Sequence, residues 1–104
     1  MSQKVIMTVG LTTELGREAE LSRWYREVHI PEARPGMQGV AGVTFYENLK
    51  SDSNSPCILA IWEFDSPEAA KAIEEAIEKN QGGNFTLGPR CEIKLLSFFR
   101  QVQV

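Results

Sequence analysis

A four-stranded antiparallel sheet carrying two helices on one face, connected βαββαβ, is the α+β fold predicted by this 104-residue sequence. Three observations point to it. Four runs rich in β-branched, aromatic and other apolar residues are punctuated by loops, and two stretches between them carry apolar residues at helical spacing. The length fits one compact domain over 1–104 and leaves no room for two. The third and fourth apolar runs are hydrophobic on both faces, as strands covered on both sides must be.

Strand one is read over Lys4 to Leu11, ahead of Thr12-Thr13. The first helix starts near Gly16 to Glu18, because glycine is a poor helix-interior residue. Leu21, Trp24, Tyr25 and Val28 then recur at i, i+3, i+4 and i+7 and share one face, while Arg23, Arg26 and Glu27 take the other. Pro31 is expected to end this helix at His29 or Ile30, since proline lacks the N–H donor and disfavours helical backbone in the residue before it. Pro35-Gly36, Gly39 and Gly42 lead into strand two, Val40 to Leu49. The polar segment Lys50 to Pro56 reads as a hairpin loop, and Cys57 to Phe64 as strand three. Ser66-Pro67-Glu68 is a helix start, with a capping hydroxyl, proline at the first position and an acid in the first turn. Ala69, Ile73, Ala76 and Ile77 form its apolar stripe, and Gly82-Gly83 end the helix or the loop after it. Strand four spans Glu92 to Val102.

In the ferredoxin-like order, strands three and four flank strand one, so Cys57 and Cys91 are not neighbours and a disulfide between them is not expected. Both cysteines are read as small buried residues. Strand three sets Leu59 and Ile61 on one face against Ile58, Ala60, Trp62 and Phe64 on the other, and strand four sets Leu95 and Phe99 against Leu96 and Phe98. Two helices cover one side only. A second copy packed sheet to sheet is the simplest cover for the other, so a homodimer is expected.

Composition excludes several classes. The net charge is -3 and no basic cluster occurs, which argues against nucleic acid. No run approaches a membrane-spanning length. Lys4 followed by Val5 to Val9 is too short and then too polar for a secretory signal, so the expected location is the cytoplasm. The two cysteines lack metal-like spacing, and no glycine-rich phosphate loop or nucleophile motif is present. No metal and no cofactor is expected.

The best candidate for chemistry is the single histidine, His29, one turn beyond Tyr25 and on the shoulder of the apolar stripe. A neutral imidazole in an apolar pocket can take a proton from carbon next to a carbonyl, and Tyr25 can hydrogen-bond the developing oxyanion. The alternative is a structural histidine that bonds the turn at Pro31 or a carboxylate. Burial lowers an imidazole pKa and a helix C-terminus raises it, and the sequence leaves that balance open. Trp24, Tyr46, Trp62 and Phe64 are the candidate lining of the pocket.

The stretch Arg23-Trp24-Tyr25-Arg26-Glu27-Val28-His29-Ile30-Pro31-Glu32, followed by Pro35-Gly36-Met37, resembles the EthD-like (ethyl tert-butyl ether degradation protein-like) family of the dimeric α/β-barrel superfamily. Leu59 to Phe64 running into Asp65-Ser66-Pro67-Glu68-Ala69 adds to the likeness, which covers nearly the whole chain. The resemblance implies a ferredoxin-like domain that dimerises through its sheet. It also implies a histidine at the end of the first helix facing the cavity between helices and sheet, the position His29 matches. Haem-degrading relatives in the wider superfamily carry their histidine on the second helix, where this chain has none. Three functions follow: a cofactor-independent isomerase, cyclase or dehydratase with His29 as general base, a cofactor-free monooxygenase on a phenol, or a non-catalytic protein that binds a hydrophobic or aromatic small molecule. Fold does not choose among them.

Overall fold

The computed structural model describes residues 4–50, 54–79 and 88–104. In chain order these form β1 (Val5–Thr13), α1 (Glu18–Trp24), a π-helical turn (Tyr25–His29), α2 (Ile30–Ala33), a 3-10 turn (Arg34–Gly36), β2 (Val40–Glu47), β3 (Ile58–Phe64), α3 (Pro67–Glu78) and β4 (Cys91–Arg100). The strands make one antiparallel sheet in the order β2-β3-β1-β4. This is the ferredoxin-like arrangement expected, and β3 and β4 do flank β1. Gly82-Gly83 and the Ser51 to Ser53 part of the hairpin loop lie outside the described residues. No helix among the described residues is long and apolar enough to cross a membrane.

Alternation sorts the sheet into two faces. Val5, Met7 and Leu11 of β1 and Ile58, Ala60, Trp62 and Phe64 of β3 are buried under the helices. Leu21 and Tyr25 of the first helical run and Ala70 of α3 close over them. On the opposite face Leu59 and Ile61 are only half-buried, and Tyr46 and Phe99 are half exposed. β4 breaks the alternation. Its pairing with β1 shifts between Gly10 and Leu11, so Leu96 faces Val9 and Ile93 faces Leu11 across an extra residue. That bulge brings Ile93 and Cys91 to the helix side with Leu96.

The helix starts follow the local chemistry. Gly16 lies in the turn before α1 with φ +93°, outside the helix. The Ser66 hydroxyl accepts the Ala69 N–H at 3.2 Å as the cap of α3, and Pro67 is the first helical residue. Gly39 is required on two counts. Its φ is +84°, and a Cβ there would stand 2.4 Å from the Ala69 Cβ.

Two sequence expectations need correcting. Pro31 does not end the first helix. Tyr25 to His29 widen into a π turn in which the Ile30 N–H reaches back to the Tyr25 carbonyl. The backbone stays helical through His29 and Ile30 into α2, and Pro31 is carried just past the π turn as the second residue of α2. The second correction concerns Cys91, which is exposed at the start of the edge strand β4, whereas Cys57 is buried. The first position of an edge strand gives a small apolar side chain little to pack against.

Candidate functional site

A cleft of about 480 Å³ opens between the first helical run, α3 and the β1–β4 side of the sheet. Met7, Val9, Leu11 and Trp62 form its floor. Trp24, Tyr25, His29, Glu32 and Met37 form one wall, and Ile73, Ala76 and Ile77 of α3 the other. Cys91, Ile93 and Leu96 of β4 complete its rim. The lining is overwhelmingly apolar, and Glu32 carries its one carboxylate among the described residues.

The π turn builds the reactive corner. His29 stacks on Trp24 with ring centroids 5.1 Å apart at 27°, and sits 4.8 Å from the Tyr25 ring at 51°. Tyr25 in turn stacks on Phe45 of β2 at 5.6 Å. The Trp62 indole N–H donates to the Tyr25 hydroxyl at 3.1 Å, fixing the phenol to the sheet. Trp24 is held from another side too: a Cβ on Gly88 would stand 2.2 Å from the indole ring, so only a glycine backbone can lie that close.

The electrostatics follow from this packing. Burial pushes the His29 pKa below 6.5, with the Glu32 carboxylate opposing it. The helix-terminus effect that would favour the imidazolium is weak here. The backbone stays helical to Ala33 and turns on to Gly36, so His29 is not at a C-terminus. The imidazole is therefore neutral at pH 7, the state a general base needs. Burial also pushes the Tyr25 phenol up to about 12, against the Trp62 hydrogen bond, which lowers it.

Tyr25 thus favours the folded state while it stays protonated. Its contribution is complete below about pH 10 and fades as the pH rises from about 10 towards 12. Urea denaturation should show roughly 2–3 kcal/mol lost over that interval. Tyr25→Phe should remove most of this slope; an unchanged slope would place the alkaline sensitivity elsewhere.

The structure brings four of the six sequence-selected residues together: His29, Tyr25, Trp24 and Trp62 all line the cleft. Phe64 does not. It is buried in the core and stacks on Phe98 at 6.2 Å, towards the Val5 end of the sheet. Tyr46 lies on the face opposite the helices, 50% exposed. Glu63, also on that face, pairs with Lys4 at 2.9 Å and is remote from His29. Ser22 was not singled out by the sequence, yet it is buried; its hydroxyl donates to the Glu47 carboxylate and accepts from Arg26 Nε at 3.3 Å, clasping α1 to β2. Sequence reading also missed Glu32, Ile93 and Cys91, which depend on the continued helix and the β4 bulge. Among the described residues, no three His, Cys, Asp or Glu side chains gather as a metal site would require.

No protein-family model and no curated protein matches the chain. Among solved structures, it is similar to one described as a "putative monooxygenase" from Shewanella loihica PV-4, with a TM-score of 0.62 and 11% identity over 100% of this chain and 99% of that one. It is also similar to an EthD-like protein from Ralstonia eutropha JMP134, with a TM-score of 0.56 and 17% identity over 95% of this chain and 92% of that one. The resemblance read from the sequence is thus met at the level of fold.

Proposed function

We propose that the cleft binds a neutral, planar, largely apolar small molecule and that His29 acts on it as a general base. The reaction favoured is a cofactor-independent isomerisation, cyclisation or dehydration of a polyketide- or lactone-like compound. One observation carries this reading: an imidazole held neutral by burial faces an apolar cleft, stacked on Trp24 and beside Tyr25. Apolar walls with a few convergent polar groups are the usual form of a small-molecule site. Tyr25, kept protonated by its own burial, is suited to donate to an oxyanion formed on the ligand.

A second reading is a cofactor-free monooxygenase on an electron-rich phenol, favoured by the description of the Shewanella structure. Oxygen uptake with candidate phenols separates the two. A non-catalytic binding or accessory protein is the third, and predicts ligand binding with no turnover.

The protein is proposed to work as a single-domain cytoplasmic homodimer. Ile6, Leu59, Ile61, Leu95 and Phe99 lie on the sheet face without helices, where a second sheet would cover them. A monomer mass by sedimentation at micromolar concentration would count against the dimer.

Tryptophan emission tests binding directly, because the chain has two tryptophans and both line the cleft. Titrating 2-naphthol should quench or shift that emission saturably. A featureless titration with every neutral aromatic tried would contradict a ligand-binding cleft.

A further inference from the structure

We propose that Glu32 is a positioning residue for His29: its carboxylate balances the imidazolium formed when His29 takes a proton from a bound ligand, and it turns anionic ligands away. The inference rests on the reading of the cleft as a small-molecule site with His29 as base.

The geometry comes from the uninterrupted helix. Because the backbone continues through Pro31 after the π turn, Glu32 follows His29 by three residues on a helical path, and both side chains line the same cleft. A helix ended at Ile30 would leave the position of Glu32 undetermined. Its charge acts on His29 in the direction required, favouring the protonated ring against burial. Among the described residues the other titrating groups along the cleft are Tyr25, from the same helical run, and the Cys91 thiol of β4; α3 turns only apolar side chains towards it. Burial pushes the Tyr25 pKa up, and partial desolvation by its neighbours raises that of the otherwise exposed Cys91 thiol, so both are neutral at pH 7 and neither offers a counter-charge.

In the proposed step a C–H or O–H bond of the ligand breaks and its proton forms an N–H bond on His29. The electron pair stays on the ligand as an enolate or phenolate. Charge separation in an apolar cleft is costly, and a carboxylate beside the new imidazolium reduces that cost. Glu32 is an exposed residue of the cleft lining, where water screens its charge. A ligand that displaces this water strengthens the coupling at the moment it is used. The same charge repels a ligand that already carries a carboxylate, and no lysine or arginine lines the cleft among the described residues to offset it.

The test compares wild type, Glu32→Gln and Glu32→Asp by NMR titration of His29, the chain's single imidazole, and by tryptophan-monitored binding of 2-naphthol and 2-naphthoate. In Glu32→Gln the His29 midpoint should fall by roughly 0.5 in pH, and Glu32→Asp should restore part of it. Glu32→Gln should also bind 2-naphthoate about three- to tenfold more tightly, with 2-naphthol little changed. A midpoint unaltered by Glu32→Gln would overturn the proposal, whether or not a ligand binds. If 2-naphthol binds wild type while Glu32→Gln changes neither midpoint nor selectivity, Glu32 alone is misassigned. If neither probe binds wild type, the underlying cleft reading fails instead.

Discussion

Trp62→Ala should destabilise the protein by about 3–5 kcal/mol in urea denaturation and abolish binding of 2-naphthol. Trp62 is 1% exposed, paired between Met7 and Val43 at the centre of the sheet, and forms part of the cleft floor. Truncation to alanine loses the transfer free energy of the indole and leaves a cavity that the flanking strands cannot collapse into. It also strips the Tyr25 hydroxyl of its donor. Trp62→Phe helps separate these effects, since it keeps much of the volume while removing the N–H. It should cost clearly less than alanine and bring the Tyr25 pKa up further, because the Trp62 hydrogen bond lowers it. A loss below about 1 kcal/mol for Trp62→Ala would mean that the floor of the cleft is not packed core.

His29→Ala should reduce turnover by about 10²- to 10⁴-fold, the usual range for removing a general base, while leaving the fold intact. The expectation of an intact fold comes from its half-buried position on the cleft side, above the core and not inside it. In the wild type the rate should need the neutral imidazole, and so decline as the pH falls through a midpoint below 6.5. The same group makes a small stability contribution of matching sign. With its folded pKa depressed, that contribution is present above about pH 6.5 and is lost as the pH falls below it. Turnover unchanged in His29→Ala, on any substrate found by screening, would remove His29 from the mechanism.

The element order was legible because periodicity is: Leu21 and Tyr25 sit where their spacing puts them, and Ser66 caps α3 as its type suggests. What could not be read were departures from period. The π turn adds a residue per turn without any signature beyond Pro31, which by itself points to a helix end. The β4 bulge exchanges faces for Ile93 and Cys91, and nothing in Cys91 to Leu96 announces it. Both irregularities lie along the cleft, and the residues that sequence reasoning missed there, Glu32, Ile93 and Cys91, were hidden by them. Tyr46 and Phe64 were placed by residue type alone. For Tyr46 the strand face decides, and for Phe64 the distance along the strand.

The central claim, that His29 is a neutral base in a working cleft, is tested most directly by NMR titration of its imidazole with and without 2-naphthol. The chain has no other histidine, so the signal needs no assignment. The account predicts a midpoint below 6.5 in the free protein that moves when 2-naphthol is added. A midpoint at the ordinary value of about 6.5, indifferent to the ligand, would contradict it.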